Sequence, residues 1–310
     1  MMIDITLLGS AGLVPLAYRA LTAALLACSG RKILFDCGEG TQIAARRKGL
    51  DLLDVDLIAL THYHGDHTFG LPGLMLTMAS IGRREPLYIT GPRGLEEAVD
   101  PFLRLADWAT FEIKLFDLMP EGLRLSEWFE GWPKGAKLTA FKTEHRVSSQ
   151  GYLFSLDQEK DSLIESQKSQ EQIQRSLRFV FSGDTMACDS LIEASRDADL
   201  VIYDATYGRN DQAQTAIDHG HMNFAQAAET AHKAGAKRLW LAHYAQTIKN
   251  PEDDLPNARA IFENTECGVD GLTRSLSFET EAFSGLSAET SGDFGNVGSL
   301  GNLSGTYTRG

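Results

Sequence analysis

Apolar runs of four to six residues recur along the chain, and many of them stop at a polar residue. Residues 3–8 alternate Ile-Asp-Ile-Thr-Leu-Leu and close on Gly9-Ser10-Ala11-Gly12, which predicts a strand and a turn. Residues 23–27 and 32–36 predict a hairpin pair. Residues 57–61, 86–90, 138–142, 151–156, 177–181, 200–203 and 238–242 predict further strands, and 276–283 a final one. Helical spacing covers 41 to Gly49, 71–81 with Gly82 behind it, 95–106, and 223–234 stopped by Gly235. Strands alternate with helices, which is the order of an α/β fold. Residues 157–176 are rich in Glu, Gln, Ser and Lys and predict a solvated helix or a loose arm. Residues 284–310 are rich in Gly, Ser, Asn and Thr and predict a mobile tail dispensable for chemistry.

The polar residues that end the strands carry the chemistry. After the apolar run Leu57-Ile58-Ala59-Leu60 comes Thr61-His62-Tyr63-His64-Gly65-Asp66-His67. Burying a core does not call for three histidines and a carboxylate in six positions. Imidazole and carboxylate are donors for zinc and similar cations, and a strand-to-helix loop is where functional groups usually sit. His145, Asp184 in Ser-Gly-Asp-Thr, and His243 each follow a later apolar strand.

Composition narrows the class. The chain of 310 residues is 43% hydrophobic and 23% charged, as expected of a soluble globular protein. It has no apolar run of membrane-spanning length. Its start, Met-Met-Ile-Asp-Ile-Thr, runs into a strand without a basic leader, so a cytoplasmic location is expected. Cys28, Cys37, Cys188 and Cys267 are scattered, and reduced, mostly buried thiols are expected. The formal net charge of −13 works against binding a polyanion unless a local basic patch or a cationic centre offsets it. Arg46-Arg47-Lys48 and Arg83-Arg84 are candidate patches; solvated helix ends are the alternative reading.

The His-x-His-x-Asp-His motif resembles the signature of the metallo-β-lactamase superfamily. The longer Thr-His-x-His-Gly-Asp-His-x-x-Gly-Leu-Pro-Gly-Leu, with Phe35-Asp36-Cys37-Gly38-Glu39-Gly40-Thr41-Gln42, resembles ribonuclease Z, which trims the 3′ trailer from precursor tRNA. The likeness spans residues 1–245. It implies a four-layer αββα sandwich of two mixed sheets flanked by helices. The hydrolase domain would cover 1–283, with 157–176 in place of the family's tRNA-gripping arm. It implies two divalent metals, zinc by default. His62, His64 and His145 would hold one, and Asp66, His67 and His243 the other. Asp184 would bridge them. Asp66 would also hold or deprotonate the attacking water. His221 would protonate the leaving oxygen, oriented by Asp204, with His219 as rival. Asp36 would support a ligand histidine, and Thr41 would cap the next helix. The implied partner is precursor tRNA, in a homodimer as family members commonly are.

The chain departs from the family at substrate-facing positions. Asp204 stands where the family has glutamate, which predicts a longer or water-mediated bond to His221. His221-Met222-Asn223 replaces His-Ser-Thr. Pro15-Leu16-Ala17-Tyr18-Arg19-Ala20 keeps only the proline and arginine of Pro-x-Lys-x-Arg-Asn. Two other readings therefore stand beside the first: a hydrolase of a small phosphodiester or other ester, and a non-catalytic metal-binding protein.

Overall fold

The computed structural model describes residues 1–105, 109–158 and 175–279. One body, Met1–Phe278, contains the strands and helices. Most of the 157–176 segment and all of the 284–310 tail lie outside the described residues.

Among the described residues fourteen strands form two sheets of seven. The first contains β1 (Met2–Gly9), β2 (Ala23–Cys28), β3 (Arg31–Phe35), β4 (Val55–Ala59), β5 (Leu87–Thr90) and β6 (Ile113–Phe116). The second contains β7 (Leu123–Arg124), β8 (Ala136–Lys142), β9 (Gln150–Asp157), β10 (Ser176–Phe181), β11 (Leu200–Asp204), β12 (Leu239–Ala242) and β13 (Thr265–Cys267). Strand β14 (Leu272–Ser277) returns to the first sheet beside β1. In each sheet one flank is antiparallel and the other parallel, β3–β4–β5–β6 and β10–β11–β12–β13, and most of the candidate site residues follow strands of the parallel flanks.

The central strands β2, β4, β11 and β12 are buried on both faces and read as nearly continuous apolar runs, while the edge strand β14 leaves Thr273 and Ser275 exposed. Parity sorts the side chains. In β2, Ala24 and Leu26 face the other sheet while Ala23 and Leu25 face helices. In β12, Trp240 faces inward and Leu239 and Leu241 face helices. The inner layer is aromatic: the rings of Phe35 and Phe179, from opposite sheets, lie 5.6 Å apart edge to face. The helix Leu71–Ser80 lays Leu71, Leu74, Met75 and Met78 on the first sheet at i, i+3, i+4 and i+7 spacing. The helix Phe224–Lys233 covers the second. It starts at a capping box, in which Asn223 Oδ1 accepts from the Gln226 amide at 2.8 Å and Gln226 Oε1 accepts from the Asn223 amide at 2.9 Å. The four-layer αββα architecture follows. Among the described residues no helix is long and apolar enough to cross a membrane.

Four expectations change. The last strand runs over Leu272–Ser277 and so begins before the expected 276, because pairing with β1 sets its register, Ile3 opposite Leu276; residues 280–283 of the expected strand lie outside the described residues. Asp36 leaves β3 with φ 56°, turning its carboxylate out of the ladder. Thr41 does not cap its helix; its hydroxyl donates to the Gly38 carbonyl at 2.7 Å, and Gly40 at φ 90° is the cap residue. The short elements β6, β7 and β13 and the helices Asp189–Ala194, Ala213–His219 and Leu255–Arg259 were not predicted, because runs of two to seven residues show too little periodicity.

Phe179→Ala is expected to lower the free energy of unfolding by about 3–5 kcal/mol, measured by denaturant melts. A loss under about 1 kcal/mol would show that the sheets do not depend on this ring.

Candidate metal centre

The parallel strands of both sheets point their C-terminal ends at one region, the usual place for a site in such sheets. From the first sheet come Asp36 after β3 and the 61–67 loop after β4. From the second come His145 beyond β8, Asp184 beyond β10, Asp204 at the end of β11 and His243 beyond β12. Residues far apart in the chain thus meet in one buried cluster.

Asp36 organises the first half. Its carboxylate accepts from the Thr61 amide at 2.7 Å, the Thr61 hydroxyl at 2.8 Å and His67 Nδ1 at 2.7 Å. Full burial pushes this carboxyl above the usual carboxylate range, against the pull of His67 and Thr61. Because the Thr61 hydroxyl gives its proton to Asp36, it can only accept from His62 Nδ1, 3.1 Å away. On the other sheet the Thr206 hydroxyl donates to Asp204 at 2.7 Å and therefore accepts from His243 Nδ1 at 3.0 Å. His145 Nδ1 donates to the Gly220 carbonyl at 2.8 Å.

These bonds fix the ring orientations. The outward nitrogen of His62, His67, His145 and His243 is engaged, so with a cation bound the inward nitrogen of each would be the lone-pair donor. The inward atoms converge in two groups. His64 Nδ1 lies 3.0 Å from His62 Nε2 and 3.4 Å from His145 Nε2. His243 Nε2 lies 3.3 Å from His67 Nε2 and 3.2 Å from Asp66 Oδ2. Asp184 stands between the groups. Its Oδ2 faces His62 Nε2 at 3.6 Å and His145 Nε2 at 4.0 Å; its Oδ1 lies 3.2 Å from Nε2 of both His67 and His243. That Oδ1 is buried and neither contact has hydrogen-bond geometry.

Lone pairs and carboxylate oxygens gathered this closely repel one another unless positive charge sits among them. Burial, then the neighbouring imidazoles, hold His62 and His64 below the ordinary histidine range, in the neutral form a cation requires. Burial opposes charging His67 as well, but Asp184 and Asp36 outweigh it and hold that ring above the range. Burial would raise Asp66; the His243 hydrogen bond and the His67 charge instead hold it below the carboxylate range. Asp66 Oδ2 also accepts from the Leu13 amide at 2.8 Å. The sets His62, His64, His145, Asp184 and Asp66, His67, Asp184, His243 could each hold a divalent metal ion, and the orphaned Asp184 oxygen fits that reading.

Glycines and one unusual backbone let the loops close this tightly. A side chain on Gly12 would lie 2.6 Å from the His243 ring, and one on Gly183 would lie 2.5 Å from Thr61. His243 itself adopts φ 63°, a left-handed conformation uncommon for a non-glycine residue.

His221 adjoins the cluster, with its ring 5.0 Å from His145 and 5.3 Å from His243. Its Nδ1 donates to Asp204 Oδ2 at 2.7 Å. The expected long or bridged bond is therefore corrected: the contact is direct. Asp204 is held in place by the Thr185 amide, the Thr206 amide and the Thr206 hydroxyl, so its shorter side chain has no other conformation to favour. Burial pulls the His221 ring down, but Asp204 outweighs it and raises the ring to about 9. His219 lies on the surface with Nδ1 on the Tyr207 hydroxyl, outside the donor sets.

The structure adds residues that the sequence reading did not single out: Thr61, Thr206, the Leu13 amide and the Gly220 carbonyl. Both threonines adjoin motif residues, but only their hydroxyl partners reveal what they do. It also shows internal partners for the motif arginine Arg19 and for Arg83 of one candidate basic patch. Arg19 is buried, donating to the Ile248 carbonyl at 3.1 Å and lying over the Tyr244 ring. Arg83 ties the carbonyls of Leu53, Glu85 and Pro86 together and lies over Phe111. Arg46, Arg47 and Lys48 are exposed at a helix end.

The chain is similar to known proteins across almost its whole length. Residues 31–244 match the model of the β-lactamase superfamily domain. Ribonuclease Z of Agathobacter rectalis is 32% identical over 309 residues, covering 90% of this chain and 100% of that protein. The crystal structure of human tRNase Z, short form, superposes with a TM-score of 0.67 at 27% identity, covering 87% of this chain and 98% of that one. The metallo-β-lactamase fold protein YhfI of Bacillus subtilis superposes with a TM-score of 0.68 at 23% identity, covering 89% and 100%, and shares the fold. By sequence match and by fold, this chain belongs to the ribonuclease Z family of the β-lactamase superfamily.

Proposed function

We propose that this chain is a zinc-dependent endoribonuclease that removes the 3′ trailer from precursor tRNA, leaving a 3′ hydroxyl on the tRNA and a 5′ phosphate on the trailer. The relatives named ribonuclease Z support it. The observation that carries it is Asp184, one oxygen turned to each of two histidine groups, with the His221–Asp204 pair alongside. That is the donor layout for two cations plus a separate proton donor.

His62, His64 and His145 would hold one zinc ion and Asp66, His67 and His243 the other, with Asp184 shared. Cations held there supply the charge that draws in a phosphodiester and acidifies water. The chain's own groups do the rest. The Leu13 amide fixes Asp66 through Oδ2, which leaves Oδ1 to hold the attacking water and take its proton. Asp204 holds Nδ1 of His221, so Nε2 is the atom that protonates the departing 3′ oxygen. Thr61, Thr206 and Asp36 keep the rings oriented and take no part in proton transfer.

One observation favours a second reading, a hydrolase of small phosphodiesters. Arg19, which the family likeness would place on the tRNA end, is spent internally on the Ile248 carbonyl. A competition assay separates the two. Unprocessed tRNA is expected to show a much higher kcat/KM than an activated aryl diester; a diester preferred over tRNA establishes the second reading.

Metal analysis of the purified chain is expected to find about two zinc ions per chain, with chelation stopping hydrolysis. A stripped preparation that keeps full activity contradicts the assignment. His221→Ala is expected to slow tRNA cleavage by about 10²–10⁴-fold. Cleavage of an aryl diester, whose leaving group needs no proton, should slow far less. Equal slowing would make His221 structural.

A further inference from the structure

Tyr207 and His219 stand just outside the donor cluster, yet they are built onto it. Tyr207 follows Thr206, which holds His243, and its amide bonds the Met222 carbonyl at 3.4 Å. His219 lies two residues before His221. Their rings are bonded edge to edge: the Tyr207 hydroxyl and His219 Nδ1 are 2.6 Å apart, the centroids 6.1 Å, and the planes within 26°. Centroids that far apart, joined through their edges, place the rings side by side as one nearly flat surface. His219 is exposed and Tyr207 half-buried.

Arg146 stands nearby. It follows His145, is exposed, and makes no ion pair or hydrogen bond with any other described residue. Its chain passes close to the turn before His221: a side chain on Gly220, at φ 81°, would lie 3.1 Å from Arg146 Cγ. Its charge reaches the Tyr207 phenol, countering part of the rise that burial and Asp204 impose there. In a chain of net charge −13, an unmatched cation beside a flat aromatic surface suits a nucleotide, with a π-face and a phosphate to offer.

Resting on the endoribonuclease reading, we propose that Tyr207, His219 and Arg146 form a subsite for the RNA nucleotide that carries the departing 3′ oxygen. Its base stacks on the Tyr207–His219 surface and its backbone phosphate meets Arg146. The subsite borders His221, the group assigned to protonate that oxygen, so a nucleotide seated there brings the oxygen to Nε2. Recognition is by stacking and charge, which tolerates any base.

The test compares kcat/KM for precursor tRNA with that for bis(4-nitrophenyl) phosphate, using the full, metal-loaded chain. Tyr207→Leu and Arg146→Ala are each expected to lower the tRNA-to-diester ratio by about tenfold or more, mainly through KM for tRNA. Tyr207→Phe keeps the ring face and is expected to hold the ratio within about threefold of wild type. Arg146→Ala should also flatten the salt dependence of log kcat/KM for tRNA by about 0.7 in slope, one phosphate's worth. Ratios that stay at the wild-type value, or equal losses on both substrates, overturn the subsite while leaving the endoribonuclease reading intact. Wild-type chain that hydrolyses the diester but not the tRNA overturns both.

Discussion

Repulsion among inward-facing donor atoms is the constraint around which the structure is arranged. Five imidazole nitrogens and the Asp66 and Asp184 carboxylates share one buried space, with neighbouring ring nitrogens 3.0–3.4 Å apart. Left free, these rings would turn their N–H groups toward the carboxylates and dissolve the arrangement. They are not free. Thr61, Asp36, Gly220 and Thr206 each engage the outward nitrogen of one histidine, so four of the five rings have one orientation. The stability of two packed sheets is thereby used to hold a cluster that would not hold itself.

The same constraint explains why the site lies where the sheets meet. The first sheet's loops contribute Asp36, His62, His64, Asp66 and His67; the second contributes His145, Asp184, Asp204, His221 and His243. Neither half contains a complete donor set. Asp184 from the second sheet faces His62 and His67 from the first, so relative movement of the sheets would separate these donors. The aromatic layer of Phe35, Tyr152, Phe179 and Phe181 beneath resists such movement by close packing. The φ 63° at His243 and the near-contact of Gly12 with its ring show how little slack remains.

Substrate handling is a separate matter from the donor cluster. An acidic chain repels RNA at long range, so attraction has to be local. Two of the basic residues that a linear reading would offer to RNA are turned to other uses: Arg19 on a carbonyl and an aromatic ring, Arg83 on three carbonyls. A charged side chain's identity says nothing about whether its partner is a ligand or the protein itself.

What could be read from the chain alone was whatever depends on local pattern. The alternation of apolar strands and helices, and the polar residues at strand ends, are consequences of side-chain period and burial, so the α/β class and the cluster His62, His64, Asp66, His67 were legible. The family likeness brought His145, Asp184, Asp204, His221 and His243 into the same picture. Tertiary structure decided the rest because it depends on partners distant in sequence. Thr61 and Thr206 are ordinary threonines until their hydroxyls are seen to donate to Asp36 and Asp204 and accept from histidines. The register of β14 is set by β1 at the other end of the described body. Asp204 reaches His221 directly because three donors, one from Thr185 and two from Thr206, fix its carboxylate, and the Thr185 contact joins strand ends that no spacing rule in one dimension brings together.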